Sequence, residues 1–165
     1  MSKKVILVFL FGLWISGAVK AQNREVSIRA TAIVMENLQM ITVRDLDLAS
    51  PPVVENIITV NPITSTYAGL FKILGSPNAK IRVNYTPRES LTEQNEGVGM
   101  VQAVYSLSAA PEDNQANSFL LTQGNADVTI GPLGVVFIWL GADLDISQAT
   151  MGRYVSEFVL EFEYM

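Results

Sequence analysis

The chain has 165 residues, with 11 basic residues against 16 acidic ones and neither cysteine nor histidine. Without imidazole or thiol it lacks the usual ligands for zinc and copper and the base of a Ser-His-Asp triad. No disulfide can brace it, so a hydrophobic core alone must hold the fold, and the acidic balance disfavours nucleic acid and anionic membranes.

Residues 1–21 read as a cleaved export signal. Lys3 and Lys4 begin it, residues 5–15 form an apolar run too short to span a bilayer comfortably, and Val19-Lys20-Ala21 offers compact residues to a signal peptidase. No cysteine follows the run, which closes the lipoprotein route. Losing Lys3, Lys4 and Lys20 leaves residues 22–165 with 8 basic against 16 acidic side chains, a net charge of −8 on one domain's length of chain. The expected location is outside the cytoplasm, in the periplasm, at the cell surface or extracellular, with no integral membrane segment after cleavage.

From there the apolar residues recur every second position, the period of a half-buried strand. Val26, Ile28, Ala30, Ala32 and Val34 share one face of a first strand, with Glu25, Ser27, Arg29 and Thr31 opposite. Asn37 turns the chain into a second strand over residues 38–48, where Ile41, Val43, Leu46 and Leu48 are expected to be buried. Pro51-Pro52 stops it, and residues 57–60 form a short strand ended by Asn61-Pro62. Residues 67–74 are a strand closed by the turn Gly75-Ser76-Pro77-Asn78, after which Ile81, Val83 and Tyr85 alternate with Arg82 and Asn84. Residues 86–99 are polar and glycine-containing and read as a long exposed loop. Strands follow at residues 100–107, 119–121, 128–130 and 135–140, with a second polar loop at residues 109–117.

The last stretch is the most regular. Tyr154, Ser156, Phe158, Leu160, Phe162 and Tyr164 alternate with Val155, Glu157, Val159, Glu161 and Glu163, which sets large apolar side chains on one face and three glutamates on the other. Roughly nine or ten short strands with a turn signal about every ten residues predict an all-β, immunoglobulin-like β-sandwich as the single domain of residues 22–165.

Two resemblances rest on the C-terminal third. Phe137, Trp139-Leu140-Gly141-Ala142, Leu144, Ile146, Ala149-Thr150-Met151-Gly152-Arg153-Tyr154 and the closing strand resemble the C-terminal signature of an exported bacterial family, domain of unknown function forty-four-oh-two. Here Ala142 stands where that family usually has the second glycine of its turn, and Ala49-Ser50 where it usually has Phe-Gly. The resemblance implies export and a β-sandwich, and no settled activity. The strand is also similar to that of chaperone-assembled pilins: Gly152 is fourteenth from the C-terminus and Tyr164 penultimate. That likeness implies a groove beside the last strand, filled by a strand from another chain.

Candidate chemistry is sparse. Asp45-x-Asp47 and Asp143-x-Asp145 set two carboxylates on one strand face, which suits Ca²⁺ in principle, but the calcium-loop spacing and its glycine are missing. Glu157, Glu161 and Glu163 lie on a wet face, where charge discourages stray strand pairing. Trp139 and Tyr105 read as core rather than as a sugar platform. No nucleophile motif or phosphate loop occurs. The expectation is a non-catalytic module with no cofactor and no metal, structural or adhesive, with other copies of itself or other surface proteins as partners. Its assembly residues are Val26, Ile28, Ala30, Ala32, Gly152, Tyr154, Phe158, Leu160, Phe162 and Tyr164. Either the first strand completes the chain's own sandwich, or it is donated to the next copy.

Overall fold

The computed structural model describes residues 24–34 and 37–165; the expected signal at residues 1–21 lies outside them. The described chain is all-β apart from one 3-10 turn, and its strands form two sheets that pack face to face. The strands are β1 (Arg24–Val34), β2 (Gln39–Arg44), β3 (Val53–Val54), β4 (Ile57–Val60), β5 (Gly69–Leu74), β6 (Lys80–Tyr85), β7 (Arg88–Thr92), β8 (Met100–Ala110), β9 (Phe119–Leu120), β10 (Asn125–Thr129), β11 (Val135–Asp145) and β12 (Gly152–Tyr164).

The smaller sheet has the order β1-β12-β6-β10. The larger is built around β11, whose strictly apolar run Ile138–Trp139–Leu140 is buried on both faces. β5 takes Val135 to Leu140 on one side of β11 and β4 takes Ala142 to Asp145, while β8 runs along the other side. Gly141 sits at the switch from β5 to β4, where a Cβ would strike the Val60 carbonyl and the Pro62 ring. β2 and β3 border β5 and β4, and β7 and β9 pair with opposite ends of β8. The core between the sheets is filled by Tyr105, Tyr154, Phe71 and Phe162, all fully buried, while Trp139 is buried on the other face of β11, beside Phe137. In a chain with no disulfide the burial of these side chains and of the surrounding Leu, Ile and Val residues must stabilise the fold.

Three local readings need correction. Residues 86–99 are not one exposed loop: they contain β7, whose Leu91 is buried, and Glu93 beyond it is buried too. On β2, Ile41 and Val43 are exposed, at 39% and 53%, because β2 is an edge strand covered only in part; Leu48 is buried as expected. Among the described residues the strand count rises to twelve, through β7 and through β3, which forms a hairpin with the expected strand β4. That hairpin turns through Glu55 and Asn56, both at positive φ, the two-residue turn whose twist matches its flanking strands.

Candidate assembly site at the last strand

β12 lies between β6 and β1. Its sequence alternation becomes physical alternation: Tyr154, Ser156, Phe158, Leu160 and Phe162 are buried, Glu157, Val159 and Glu161 are exposed, and Tyr164 is half-buried. Phe158 packs tilted against Tyr105, ring centres 4.7 Å apart, and against Tyr85 at 5.7 Å, which ties β12 to β8 across the sandwich and to β6 beside it.

On its other edge β12 pairs with β1 in parallel, without a break, from Arg24 opposite Gly152 to Val34 opposite Phe162. All the expected assembly residues except Tyr164, which lies beyond the ladder and opposite Ile81 on β6, thus meet in one ladder: Val26 is opposite Tyr154, Ile28 opposite Ser156, Ala30 opposite Phe158 and Ala32 opposite Leu160. Val26, Ile28 and Ala30 are half-buried and pack against the core. β1 pairs with no strand other than β12 among the described residues.

Both ends of β12 are fastened by groups that alternation does not announce. At its start Gly152 has φ +152° and no room for a side chain, because the Glu93 side chain fills that space. The Glu93 carboxylate accepts from the backbone N–H groups of Asn95 (2.9 Å), Glu96 (2.6 Å) and Arg153 (3.3 Å), and the Gln94 N–H donates to the Arg153 carbonyl at 2.9 Å. The Glu96 N–H is the main cause that holds the Glu93 carboxyl below its ordinary range, partly opposed by desolvation and helped by the N–H groups of Asn95, Arg153 and Gly97. One turn before the strand, the Tyr154 hydroxyl accepts from the Thr150 N–H at 2.9 Å. At the far end the Tyr164 hydroxyl accepts from the Ser76 N–H at 2.8 Å, so the penultimate aromatic secures the turn between β5 and β6.

Midway, Ser156 is fully buried on the apolar face. Its hydroxyl donates to Glu89 on β7 and accepts from the Tyr105 hydroxyl on β8 at 2.8 Å. Burial is the chief cause that pushes the Tyr105 hydroxyl far above the ordinary tyrosine value. A serine, a tyrosine and a carboxylate in contact invite a catalytic reading, but the serine has no access to solvent or substrate. The arrangement joins the two sheets and satisfies polar groups that would otherwise be costly inside the core.

One carboxylate of each aspartate pair is taken up by the neighbouring backbone. The Asp47 carboxylate accepts from the N–H groups of Ala49 (2.9 Å) and Ser50 (3.1 Å), and that of Asp145 from the Ser147 N–H at 2.9 Å. Each closes an Asx-type turn. Trp139 and Tyr105 are buried and offer no platform. A cleft of about 450 Å³ opens at one end of the sandwich, lined on the β1 side by Arg24, Glu25 and Val26 and on the other side by Val53 and Ile58 of the opposite sheet and by Leu48 in the segment between β2 and β3. No described helix is long and apolar enough to cross a membrane. Compared with known protein families and with curated proteins, the chain matches none.

Proposed function

We propose that this chain is an exported, non-catalytic β-sandwich module of the periplasm or cell surface, structural or adhesive in role, that completes its fold with its own first strand. The observation that carries the reading is the unbroken ladder from Arg24–Gly152 to Val34–Phe162. It fills the edge of β12 within one chain, and Val26, Ile28 and Ala30 supply apolar cover from the same chain. The export step rests on the character of residues 1–21, and membership of the forty-four-oh-two family on the motif from Phe137 to the closing strand. The non-catalytic reading is supported by the burial of Ser156 and by the engagement of Glu93, Asp47 and Asp145 with backbone N–H groups.

One observation favours a second reading, a pilin-like fibre subunit assembled by strand exchange. Among the described residues β1 pairs only with β12, and Val26, Ile28 and Ala30 on its apolar face stay half-buried, so the corresponding strand of another copy has the residues to replace it. The two readings part in a denaturing gel run with and without boiling. Self-completion gives one band under both conditions and no uptake of a synthetic peptide of residues 24–34. A ladder that collapses on boiling, together with peptide uptake, transfers the function to strand exchange.

A further inference from the structure

β1 is the end strand of its sheet, and among the described residues nothing pairs with its outer edge. Edge strands are usually blunted by proline, a bulge or an inward charge. β1 has no proline, its pairing with β12 is free of register shifts, and its inner-face charge, Arg24, stands exposed at the start of the strand. Val26, Ile28 and Ala30 point inward, while Glu25 and Arg29 are exposed on the outer face, four residues apart and of opposite sign.

We propose that β1 pairs antiparallel with β1 of a second copy across a two-fold axis at Ser27. In that register Glu25 faces Arg29 of the second copy and Arg29 faces its Glu25. On the inner face Val26 lies beside Ile28 of the second copy, which extends the half-buried apolar strip, and Arg24 falls opposite Ala30. Only even shifts keep both inner faces inward. A shift that sets Glu25 opposite Glu25, or Arg29 opposite Arg29, places like charges face to face, and the intermediate shifts leave both charges unmatched.

The charges one strand further in support the same register. Within each chain Glu25 lies beside Arg153 and Arg29 beside Glu157 on β12. Across the axis each row then reads Arg153, Glu25, Arg29 of the second copy, Glu157 of the second copy, with the sign alternating at every step. The two four-stranded sheets become one sheet of twice the width. The association is isologous, so it stops at two copies. It rests on the proposed function in one respect, that β1 stays in its own domain.

The test uses protein purified from cells expressing the full-length chain, in wild-type form and as the variants E25R and R29E. Sedimentation is followed over a concentration series at low and high salt. The wild type is expected to dimerise reversibly and more weakly as salt rises. Each variant alone sets two like-charged pairs across the axis and should weaken the dimer by roughly tenfold or more. Mixed in equal amounts, the E25R chain carries two arginines and the R29E chain two glutamates, and the mixture should recover the wild-type affinity. That recovery cannot come from within a chain, where each substitution only adds repulsion against Arg153 or Glu157. A wild type that stays monomeric, a dimer indifferent to both substitutions, or a mixture that fails to recover would overturn the proposal. A detergent-resistant ladder would instead overturn self-completion, and is told apart because it neither stops at two copies nor dissolves in salt.

Discussion

Glu93 occupies the space into which a side chain at Gly152 would project, and its carboxylate accepts the N–H of the next residue, Arg153. The last strand therefore begins on a buried acid supplied by the residue that follows β7, and the glycine is required by that contact as well as by its own φ of +152°. Replacing Gly152 with alanine should cost about 1–3 kcal/mol in backbone strain and a further 1–3 kcal/mol or so in displacing Glu93. Urea unfolding measures the sum. An alanine that costs no more than a surface substitution would mean that the contact does not constrain the strand.

The same acid gives the fold a pH dependence. Glu93 is held below its ordinary value of 4.5, chiefly by the Glu96 N–H. A depressed carboxyl contributes stability that is present above its unfolded-state pKa and is lost as pH falls through the folded one. Asp47 and Asp145 are lowered as well, first by their side-chain hydrogen bonds to Ser50 and Ser147, and they act in the same direction. The melting temperature should thus hold from neutral pH down to the mid-fours and fall below that. Glu93→Gln, whose amide cannot titrate, should melt lower at pH 7 and show a shallower acid decline. Parallel curves for the two proteins would remove Glu93 as a source of the acid sensitivity.

Two adjacent residues report on the faces of β12. Phe158 is buried against Tyr105 and Tyr85, whereas Val159 is 36% exposed. Phe158→Ala should destabilise the domain by about 3–5 kcal/mol, and Val159→Ala by no more than about 1 kcal/mol, since it trims a small side chain from a face that stays open to water. Equal losses in denaturant melts would contradict the assignment.

Two tyrosines separate satisfied from unsatisfied burial. The Tyr85 hydroxyl is buried and has no hydrogen-bond partner among the described residues, and desolvation is what raises its pKa. The Tyr105 hydroxyl is bound to Ser156. Removing the first by Tyr85→Phe should leave stability unchanged or improved, whereas Tyr105→Phe should cost about 1–2 kcal/mol. Thermal melts of the two variants check the contrast; a larger loss at Tyr85 would reverse the account of that hydroxyl.

The fold class was legible because alternation is a direct record of two-faced burial, and nowhere more so than from Tyr154 to Phe162. β7 was hidden for the converse reason. Its inward position Glu89 is a carboxylate that receives the Ser156 hydroxyl, so a polar residue stands where the pattern requires an apolar one. Ser156 breaks the opposite face in the same way and reads as a minor lapse until its partners are seen. At β2 the error ran the other way: Ile41 and Val43 alternate like core residues, but alternation does not say whether an opposing layer reaches an edge strand. Periodicity is also blind to direction. That β1 runs parallel to β12, and that Arg24 meets Gly152 rather than Phe162, follows from tertiary packing and from nothing local.

The claim on which the account depends is that β1 belongs to its own chain. The absence of native cysteine allows a direct test. Thr31 and Val159 are partners across the ladder, and both are exposed on the outer face. The double variant Thr31→Cys/Val159→Cys, oxidised in dilute solution and run without reductant, should form an intramolecular disulfide in nearly every molecule and migrate as a single chain. If the disulfide links different chains, or if the thiols stay free while the protein is folded, β1 does not complete the sandwich that carries it.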